Sequence, residues 1–340
     1  MEKPEITVLM SCYNDERWLK ESIQSILDQT FKDFEFIIIN DGSTDQTWSI
    51  IKEFEKLDDR IRVFEKPNSG LADSLNKGVA LARGSWIARL DADDISEPSR
   101  LEEQYQAILR DPKICFLGTG LKQISENGEF IAVHTYPSMH DQLVQNLLNF
   151  HKFPPHSSAF IKTKLVKSLG GFRSRMKRAQ DKDLWLRISE TGRLSCLKEP
   201  LVKIRQHPSQ VSNKDQGKWQ IFYSRMALVC YYLRMSGYDD PLDADEYEFQ
   251  MFQKWYGEKM ESYGLYDFYR MKEKVKKRFF GRISNKVTEE QESWFQLLLR
   301  LPKWMVFFVL ISVNGENVSK KISQDWIDLK RDKQPITNRV

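Results

Sequence analysis

Residues 34–45 read FEFIIINDGSTD. An apolar run broken only by Glu35 ends abruptly in a cluster of turn-forming residues. Short β-branched runs bounded in this way read as buried strands that stop at a loop. The signature recurs on both sides. Ile6–Met10 runs into Ser-Cys-Tyr-Asn, Ile61–Glu65 into Pro67–Gly70, and Trp86–Leu90 into Asp91-Ala92-Asp93-Asp94. Between these runs apolar residues return at helical spacing. Leu19, Ile23, Ile26 and Leu27 mark a helix over Glu16–Gln29, Trp48, Ile51 and Phe54 mark one over Thr44–Leu57, and Leu71–Ala82 reads as a third.

Such alternation predicts an α/β chain with a Rossmann-like, mostly parallel sheet flanked by helices. Ligands of these sheets bind at the carboxyl ends of the strands. The polar clusters lie at those ends: Ser11–Asp15, Asn40–Asp45, Pro67–Gly70 and Asp91–Asp94. If the fourth strand continues through Asp91 and Asp93, both carboxylates point the same way. They then form half of an oxygen-rich site of the kind Mg2+ or Mn2+ accepts. The competing reading is an ordinary Asp-rich turn, with Asp94 orienting it. Asp41 is placed to accept a hydrogen bond from a base or ribose, and Gly70 lets backbone approach a ligand closely. The chain has neither G-x-G-x-x-G after its first strand nor G-x-x-x-x-G-K-S/T, which disfavours nicotinamide dehydrogenases and P-loop enzymes.

Composition is that of a globular, soluble chain and says little about partners. Hydrophobic residues are 41%, charged residues 29%, and the net charge is +4. Cys12, Cys115, Cys196 and Cys230 are scattered, with no metal-ligand spacing, so reduced thiols are expected. The N-terminal apolar run is short and flanked by acidic residues, unlike a signal peptide. A cytoplasmic chain is expected. No recognisable nucleic-acid-binding motif accompanies the basic residues, so no nucleic-acid partner is expected.

The runs ITVLMSCYND (6–15), QTFKDFEFIIINDGSTD (29–45), NSGLADSLNKG (68–78) and GSWIARLDADD (84–94) occur in order. Together they resemble family-2 inverting glycosyltransferases of bacterial polysaccharide and lipopolysaccharide type, which have the GT-A fold. The resemblance extends over about residues 5–212. It implies that Ser11, Tyr13, Asn14, Asp41, Asn68 and Gly70 line a nucleotide site, with uridine the usual base. Asp91 would face the ribose or donor, and Asp93 would bind a Mn2+ or Mg2+ ion bridging the diphosphate. Two departures are Asn40, where the family often has Asp, and Leu75, where many relatives carry Arg. Arg89 is the expected replacement for that missing charge near the phosphates.

In QDKDLWLRIS (180–189) the resemblance places the general base at Asp181, although Gln180 stands where the family has an acidic neighbour. Read from the residues alone, Asp181 is better explained as a helix N-cap, and only the motif context puts the catalytic role ahead; Asp183 is the second candidate base. His207, in VKIRQHPSQVS (202–212), resembles a family stretch whose His reaches the metal or diphosphate. His156 in FPPHSSAF (153–160), Gly171 in the Gly-Gly-Phe turn and Arg205 are the expected donor-sugar or acceptor contacts. Each also has a plain structural reading: core histidine, simple turn, surface cation.

Residues 1–213 are therefore expected to form the GT-A catalytic domain and 214–340 an appended C-terminal helical region. Trp219–Leu233 reads as a core helix. The run WFQLLLRLPKWMVFFVLISV (294–313), after the basic run Lys272–Arg278, reads either as a peripheral contact with the cytoplasmic membrane's inner face or as a buried helix pair or subunit interface. The expected partners are a UDP-sugar donor and a glycan or lipid-linked glycan acceptor. The alternatives are a transferase acting on polyprenyl phosphate and a non-catalytic sugar-nucleotide-binding scaffold.

Overall fold

The computed structural model describes residues 3–208, 210, 218–263 and 315–333. They divide into two compact units, 1–147 with 151–210, and 148–150 with 211–340. The expected boundary at 213/214, the basic run Lys272–Arg278 and the aromatic run 294–313 lie outside the described residues.

The first unit is an α/β sandwich. β1 (Ile6–Cys12), β2 (Phe34–Asn40), β3 (Ile61–Glu65) and β4 (Trp86–Arg89) pair in parallel in the order β3-β2-β1-β4. The register runs from Ile6 opposite Phe34 to Cys12 opposite Asn40, so the β1 and β2 loops emerge side by side. β1 and β2 are buried almost throughout because helices cover both of their faces. Ile6, Val8, Met10, Phe36 and Ile38 pack with Leu19, Ile23 and Ile26 of α1 (Leu19–Leu27), Ile51 and Phe54 of α2 (Thr47–Glu55), and, across the same core, Leu101. Each such side chain, fully buried, stabilises by about 1.5–3 kcal/mol before chain entropy is counted. The opposite face, carrying Leu9, meets α3 (Leu71–Leu81). Gly78 permits that approach, since a Cβ there would lie 2.1 Å from Leu9 Cδ1.

The rest of the sheet is mixed. β4 is followed across the sheet by β8 (Phe160–Lys162), β6 (Ile114–Ser125), β9 (Arg193–Gln206) and β5 (Ile95–Ser96), with β7 (Phe130–His134) paired to β6. β8 is antiparallel to both β4 and β6, whereas β6 and β9 are parallel over a long ladder whose register shifts three times. α4 (Arg100–Arg110), α5 (His140–Leu148), α6 (Thr163–Ser168) and α7 (Gln180–Ser189) occupy the connections.

Two boundaries differ from the sequence expectation for one reason. α1 starts at Leu19 rather than Glu16, and α2 at Thr47 rather than Thr44. The Asp15 and Glu16 N–H groups donate to Thr47 Oγ1 and Asp45 Oδ2, and the Thr44 N–H donates to Asn14 Oδ1. These residues fasten the two strand-end loops to each other before either helix begins.

The second unit contains α8 (Lys218–Met235), α9 (Glu246–Ser262) and α10 (Gly315–Lys333). Asp245 caps α9, accepting the Glu248 N–H at 2.8 Å. α8 is buried on more than the single face expected, because both its Phe222–Met226 and Ala227–Cys230 stretches are enclosed. Its Phe222 carbonyl accepts the Tyr256 hydroxyl at 3.0 Å, and Phe252 of α9 meets Trp326 of α10 with ring centroids 5.1 Å apart. Among the described residues no helix is long and apolar enough to cross a membrane.

Candidate active site

The loops after β1, β2 and β3 are fixed by their own polar side chains. Asn14, at φ +57°, accepts the Thr44 N–H at 2.8 Å, while its own N–H donates to Ser43 Oγ at 3.1 Å. Asn tolerates this left-handed backbone better than most residues. Asp41 is 3% exposed and accepts the Ser69 and Gly70 N–H groups at 3.0 and 2.9 Å, together with the Lys66 ammonium. Gly70 has φ +96°, which lets the Asn68–Gly70 loop fold onto that carboxylate. Asn68 is exposed and Ser11 half-buried, and Tyr13 presents a ring that is 50% exposed. The predicted nucleotide residues thus lie on three neighbouring, mutually braced loops. Asp41's hydrogen bonds serve the loop first.

Beyond β4 the strand does not continue through the carboxylates. It ends at Arg89, and Asp91–Asp94 form a turn in which the Asp94 N–H donates to the Asp91 carbonyl at 3.3 Å. The Asp91 N–H donates to Ser157 Oγ at 3.1 Å instead of to a strand neighbour. Alternation along a strand therefore does not explain how Asp91 and Asp93 are aimed. The Ser157 hydroxyl lies 2.7 Å from Asp91 Oδ2 and 2.5 Å from Asp94 Oδ2. Burial, reinforced by the charges of Asp93 and Asp91, holds the Asp94 carboxyl well above the usual range. The Ser157 hydroxyl faces both carboxylates as their donor and ties Asp91 to Asp94. Burial opposes the charge on Asp91 as well, but Arg89, His156 and the Ser157 hydroxyl outweigh it and hold that pKa low.

Arg89 differs from its expected place beside phosphates. It is 1% exposed, donates to the Leu9 and Leu90 carbonyls, and reaches Asp91 Oδ1 at 2.5 Å. Its positive charge lies beneath the D-x-D turn and acts through Asp91. Arg205, expected near sugar or phosphate, is also buried, at 2% exposure. Its guanidinium donates to the Asp93 carbonyl (3.1 Å), the Glu126 carbonyl (3.1 Å) and Glu21 Oε2 (2.5 Å), and its N–H donates to Asp94 Oδ1 (3.0 Å). These bonds clamp the D-x-D turn to β9 and α1. Neither arginine is presented as an open cation, because both are buried and, Arg89 Nε apart, their donors named above meet carbonyls and carboxylates of the surrounding elements.

Asp93 and His207 come together from 114 residues apart, His207 Nε2 lying 2.8 Å from Asp93 Oδ2. The imidazole stacks obliquely on Trp18, with centroids 4.5 Å apart. Burial and repulsion from Asp91 raise the Asp93 pKa despite His207. Asp15 belongs to the same field. Burial, with the charges of Asp93, Asp91 and Asp45, pushes its pKa up to about 7, although the Tyr13 N–H opposes this.

On the other side, α7 begins after Ala179, which takes φ +52°. Asp181 lies in the first turn rather than at the cap and accepts the Lys182 N–H at 2.8 Å. Asp183 is fully buried, bound to Arg173 at 3.2 Å and to Arg187 at 2.8 Å. A carboxylate so enclosed and paired holds the fold and is not a general base. His156 stands between the two halves, where the negative charges of Asp91 and Asp181 both act on its ring. Burial, helped by Arg89, lowers its pKa, and its buried Nε2 has no hydrogen-bond partner among the described residues. Phe172 and Trp185 meet the ring edgewise at 5.7 and 5.9 Å. Gly171, at φ +72°, forms a buried turn against α3, where Asn76 grips the next residue through its N–H and carbonyl at 2.8 and 2.6 Å.

Sequence reasoning missed Ser157, Asp15, Trp18 and the Glu21 and Glu126 contacts of Arg205. Asp15 carried a signal, since it closes the polar cluster after β1. Ser157 carried none, because its partners lie 63 and 66 residues away.

The loops, the D-x-D turn and the partnered histidine give the comparisons their meaning. Residues 7–173 match the family described as Glycosyl transferase family 2. The O-antigen biosynthesis glycosyltransferase WbnJ of Escherichia coli is 35% identical over 230 residues, 65% of this chain and 85% of WbnJ. This chain belongs to glycosyltransferase family 2. It is a glycosyltransferase with a GT-A-like fold. Among solved structures, S. aureus TarS 1–349 in complex with UDP-GlcNAc aligns with TM-score 0.54 at 19% identity, covering 66% of each chain. The mannosyltransferase PcManGT of Pyrobaculum calidifontis, in complex with GDP-Man and Mn2+, aligns with TM-score 0.51 at 16% identity, covering 94% of this chain and 88% of that one. At these identities the structural likeness concerns the fold alone.

Proposed function

We propose that this glycosyltransferase moves a sugar, with inversion, from a UDP-sugar to a hydroxyl of a glycan or lipid-linked glycan during cell-surface polysaccharide synthesis. The observation that carries this reading is the meeting of Asp93 with His207 beside a D-x-D turn at the strand ends. The UDP-GlcNAc complex of TarS and the O-antigen role of WbnJ are in keeping with this donor and pathway class.

Ser11, Tyr13, Asn14, Asp41, Asn68 and Gly70 form the nucleotide side, with the exposed Tyr13 ring available to a base. Asp91, kept ionised by Arg89 and Ser157, faces the ribose or donor. The donor set at Asp93 and His207, one carboxylate oxygen and one imidazole nitrogen, suits Mn2+, and Mg2+ less well. The crowded negative charge around Asp15, Asp91 and Asp93 fits a cation there too. Among the described residues no three His, Cys, Asp or Glu side chains form a metal cage, so diphosphate and water oxygens would complete the coordination. When bound, such a metal neutralises charge developing on the diphosphate.

In the transfer, Asp181 takes the proton of the acceptor hydroxyl as its oxygen bonds to the anomeric carbon. The bond from that carbon to the diphosphate oxygen breaks, and UDP leaves with the electron pair. His156, buried beside Asp91, and the Gly171 turn border the sugar. Any membrane contact at the cytoplasmic face would come from the C-terminal region.

The test is UDP release from a panel of UDP-sugars with Mn2+, using wild type, Asp93→Ala and Asp181→Asn. Release that stops with chelator and drops at least ~100-fold in both variants is the expected result. Binding without turnover, even with polyprenyl-phosphate acceptors present, would favour the scaffold alternative. Turnover only with those acceptors would favour the polyprenyl-phosphate one.

A further inference from the structure

A cavity of about 260 Å3 opens on the β6–β9 face of the first unit, lined by Leu121, Gln123, His134, Tyr136, Lys152, Phe153, Ile204 and Gln206. Gln123 lies opposite Ile204 in the ladder, and Gln206 immediately precedes His207. The cavity's polar groups are already ordered. Lys152 Nζ lies 3.1 Å from His134 Nδ1, and His134 Nε2 lies 3.1 Å from Gln123 Oε1. An ammonium can only donate, so His134 Nδ1 accepts from Lys152, and His134 Nε2 faces the Gln123 carbonyl oxygen as a donor. No carboxylate lines the cavity, and Lys152 pairs with none among the described residues. An open, carboxylate-free cavity that presents one ammonium and two amides beside aromatic rings has the chemistry of a site for an anionic sugar.

The cavity wall is tied to His156 by the chain and by packed rings. Lys152 and Phe153 lead through Pro154 and Pro155 to His156. Phe153 meets Phe116 at 5.4 Å, Phe116 meets Trp185 at 4.6 Å, and Trp185 meets His156 at 5.9 Å. Pro154 is pressed on β6 where Gly118 has no side chain, since a Cβ there would lie 2.3 Å from Pro154 Cβ. From Phe153 to His156 is three residues, roughly 10 Å of extended chain. A short oligosaccharide spans that distance.

We propose that this cavity is an acceptor subsite for a sugar unit bearing an anionic group, held by Lys152 and the Gln123 and Gln206 amides with Tyr136 and Phe153 along its ring. The assignment rests on the strand-end loops being the donor site, because only then does the cavity lie on the acceptor's path. A carboxylate of a uronic acid and a phosphate of a phosphodiester-linked chain offer the same chemistry.

The experiment uses the full chain with Mn2+ and three probes, methyl glucuronide, glycerol phosphate and methyl glucoside, with binding followed by saturation-transfer NMR. At least one anionic probe is expected to bind wild type, and to weaken about 10- to 100-fold in Lys152→Ala, with Lys152→Arg recovering most of the affinity. Whichever anionic probe binds identifies the source. Lys152 is exposed, so the alanine variant keeps its fold. Equal affinity for Lys152→Ala and wild type, or binding of the neutral glucoside alone, overturns the proposal, as does no binding at all. UDP release by wild type, measured alongside, reports separately on the donor site. Release without Lys152-dependent binding would remove only the acceptor subsite. Lys152-dependent binding without release would remove the donor reading and the cavity's acceptor role together, leaving a bare anion site.

Discussion

Asp181 and Asp183 are two residues apart on α7, yet only Asp183 is locked between guanidinium groups. The resemblance offered Asp181 as the base, with Asp183 second. What separates them is the Arg173 and Arg187 guanidinium groups enclosing Asp183, contacts that no periodicity encodes. Glu35 presents the same lesson inside β2. In the sequence it is an interruption of an apolar run; in the fold it is 2% exposed and collects the Thr7 hydroxyl (2.7 Å), the Arg83 N–H (2.7 Å) and guanidinium (2.8 Å), and Arg62. Burial alone would raise its pKa, but these donors together lower it below the model-compound value of 4.5. A depressed carboxylate pKa contributes stability that is fully present above the unfolded-state value and disappears as pH falls through the folded one. Glu35→Gln should therefore cost about 1–3 kcal/mol at neutral pH. Below pH ~4.5 the wild-type advantage should shrink, because the wild-type carboxylate then protonates. Urea unfolding of both proteins between pH 3 and 7 checks this, and an advantage independent of pH would show that shape rather than charge is at work.

At the scale of elements, the half of the sheet built from β1 to β4 was legible because each strand and helix declares itself within a dozen residues and its neighbours follow in order. The half built from β5 to β9 was not. β9 carries Pro200 and several charges, pairs with β6 some eighty residues earlier, and shifts register along the ladder. Its placement is decided by partners, not by its own pattern. The Gly-Gly-Phe turn lies between these cases: its glycines announce a turn, and only the structure shows that α3 holds it. A Cβ on Gly171 would lie 2.3 Å from Asn76 Oδ1, at a backbone φ of +72°. Gly171→Ala should destabilise the protein by about 1–3 kcal/mol. Asn76→Ala should cost a similar amount, about 1–3 kcal/mol, by leaving the Phe172 N–H and carbonyl without that partner. Because both changes release one turn, the double variant should lose less than the sum of the two, which thermal unfolding of the four proteins measures.

For the molecule as a whole, the decisive arrangement is that two differently built halves of one sheet contribute to the site proposed above. The parallel half supplies the braced loops after β1, β2 and β3. The mixed half supplies His207 from the chain just beyond β9 and, through α7, Asp181. The D-x-D turn joins them, with Asp93 on His207 and Asp94 on the Arg205 N–H. The four strand-end clusters were readable because they are local, whereas the junction was not, because Ser157, Arg205 and His207 reach it from distant segments. If the proposed roles are right, UDP and metal should act on different parts of this arrangement. UDP alone should slow amide exchange in residues 11–15, 40–45 and 67–70. UDP with Mn2+ should extend the protection to 91–94 and 205–207, because the ion is held by Asp93 and His207. At ligand concentrations ~100 times Kd the bound state gains about 2.7 kcal/mol, which slows exchange through unliganded openings roughly 100-fold. Hydrogen-exchange mass spectrometry with UDP, Mn2+, both and neither separates the two effects. Protection of 205–207 by UDP alone, unchanged by Mn2+, would mean that His207 answers to the nucleotide and that the metal is not held between the halves.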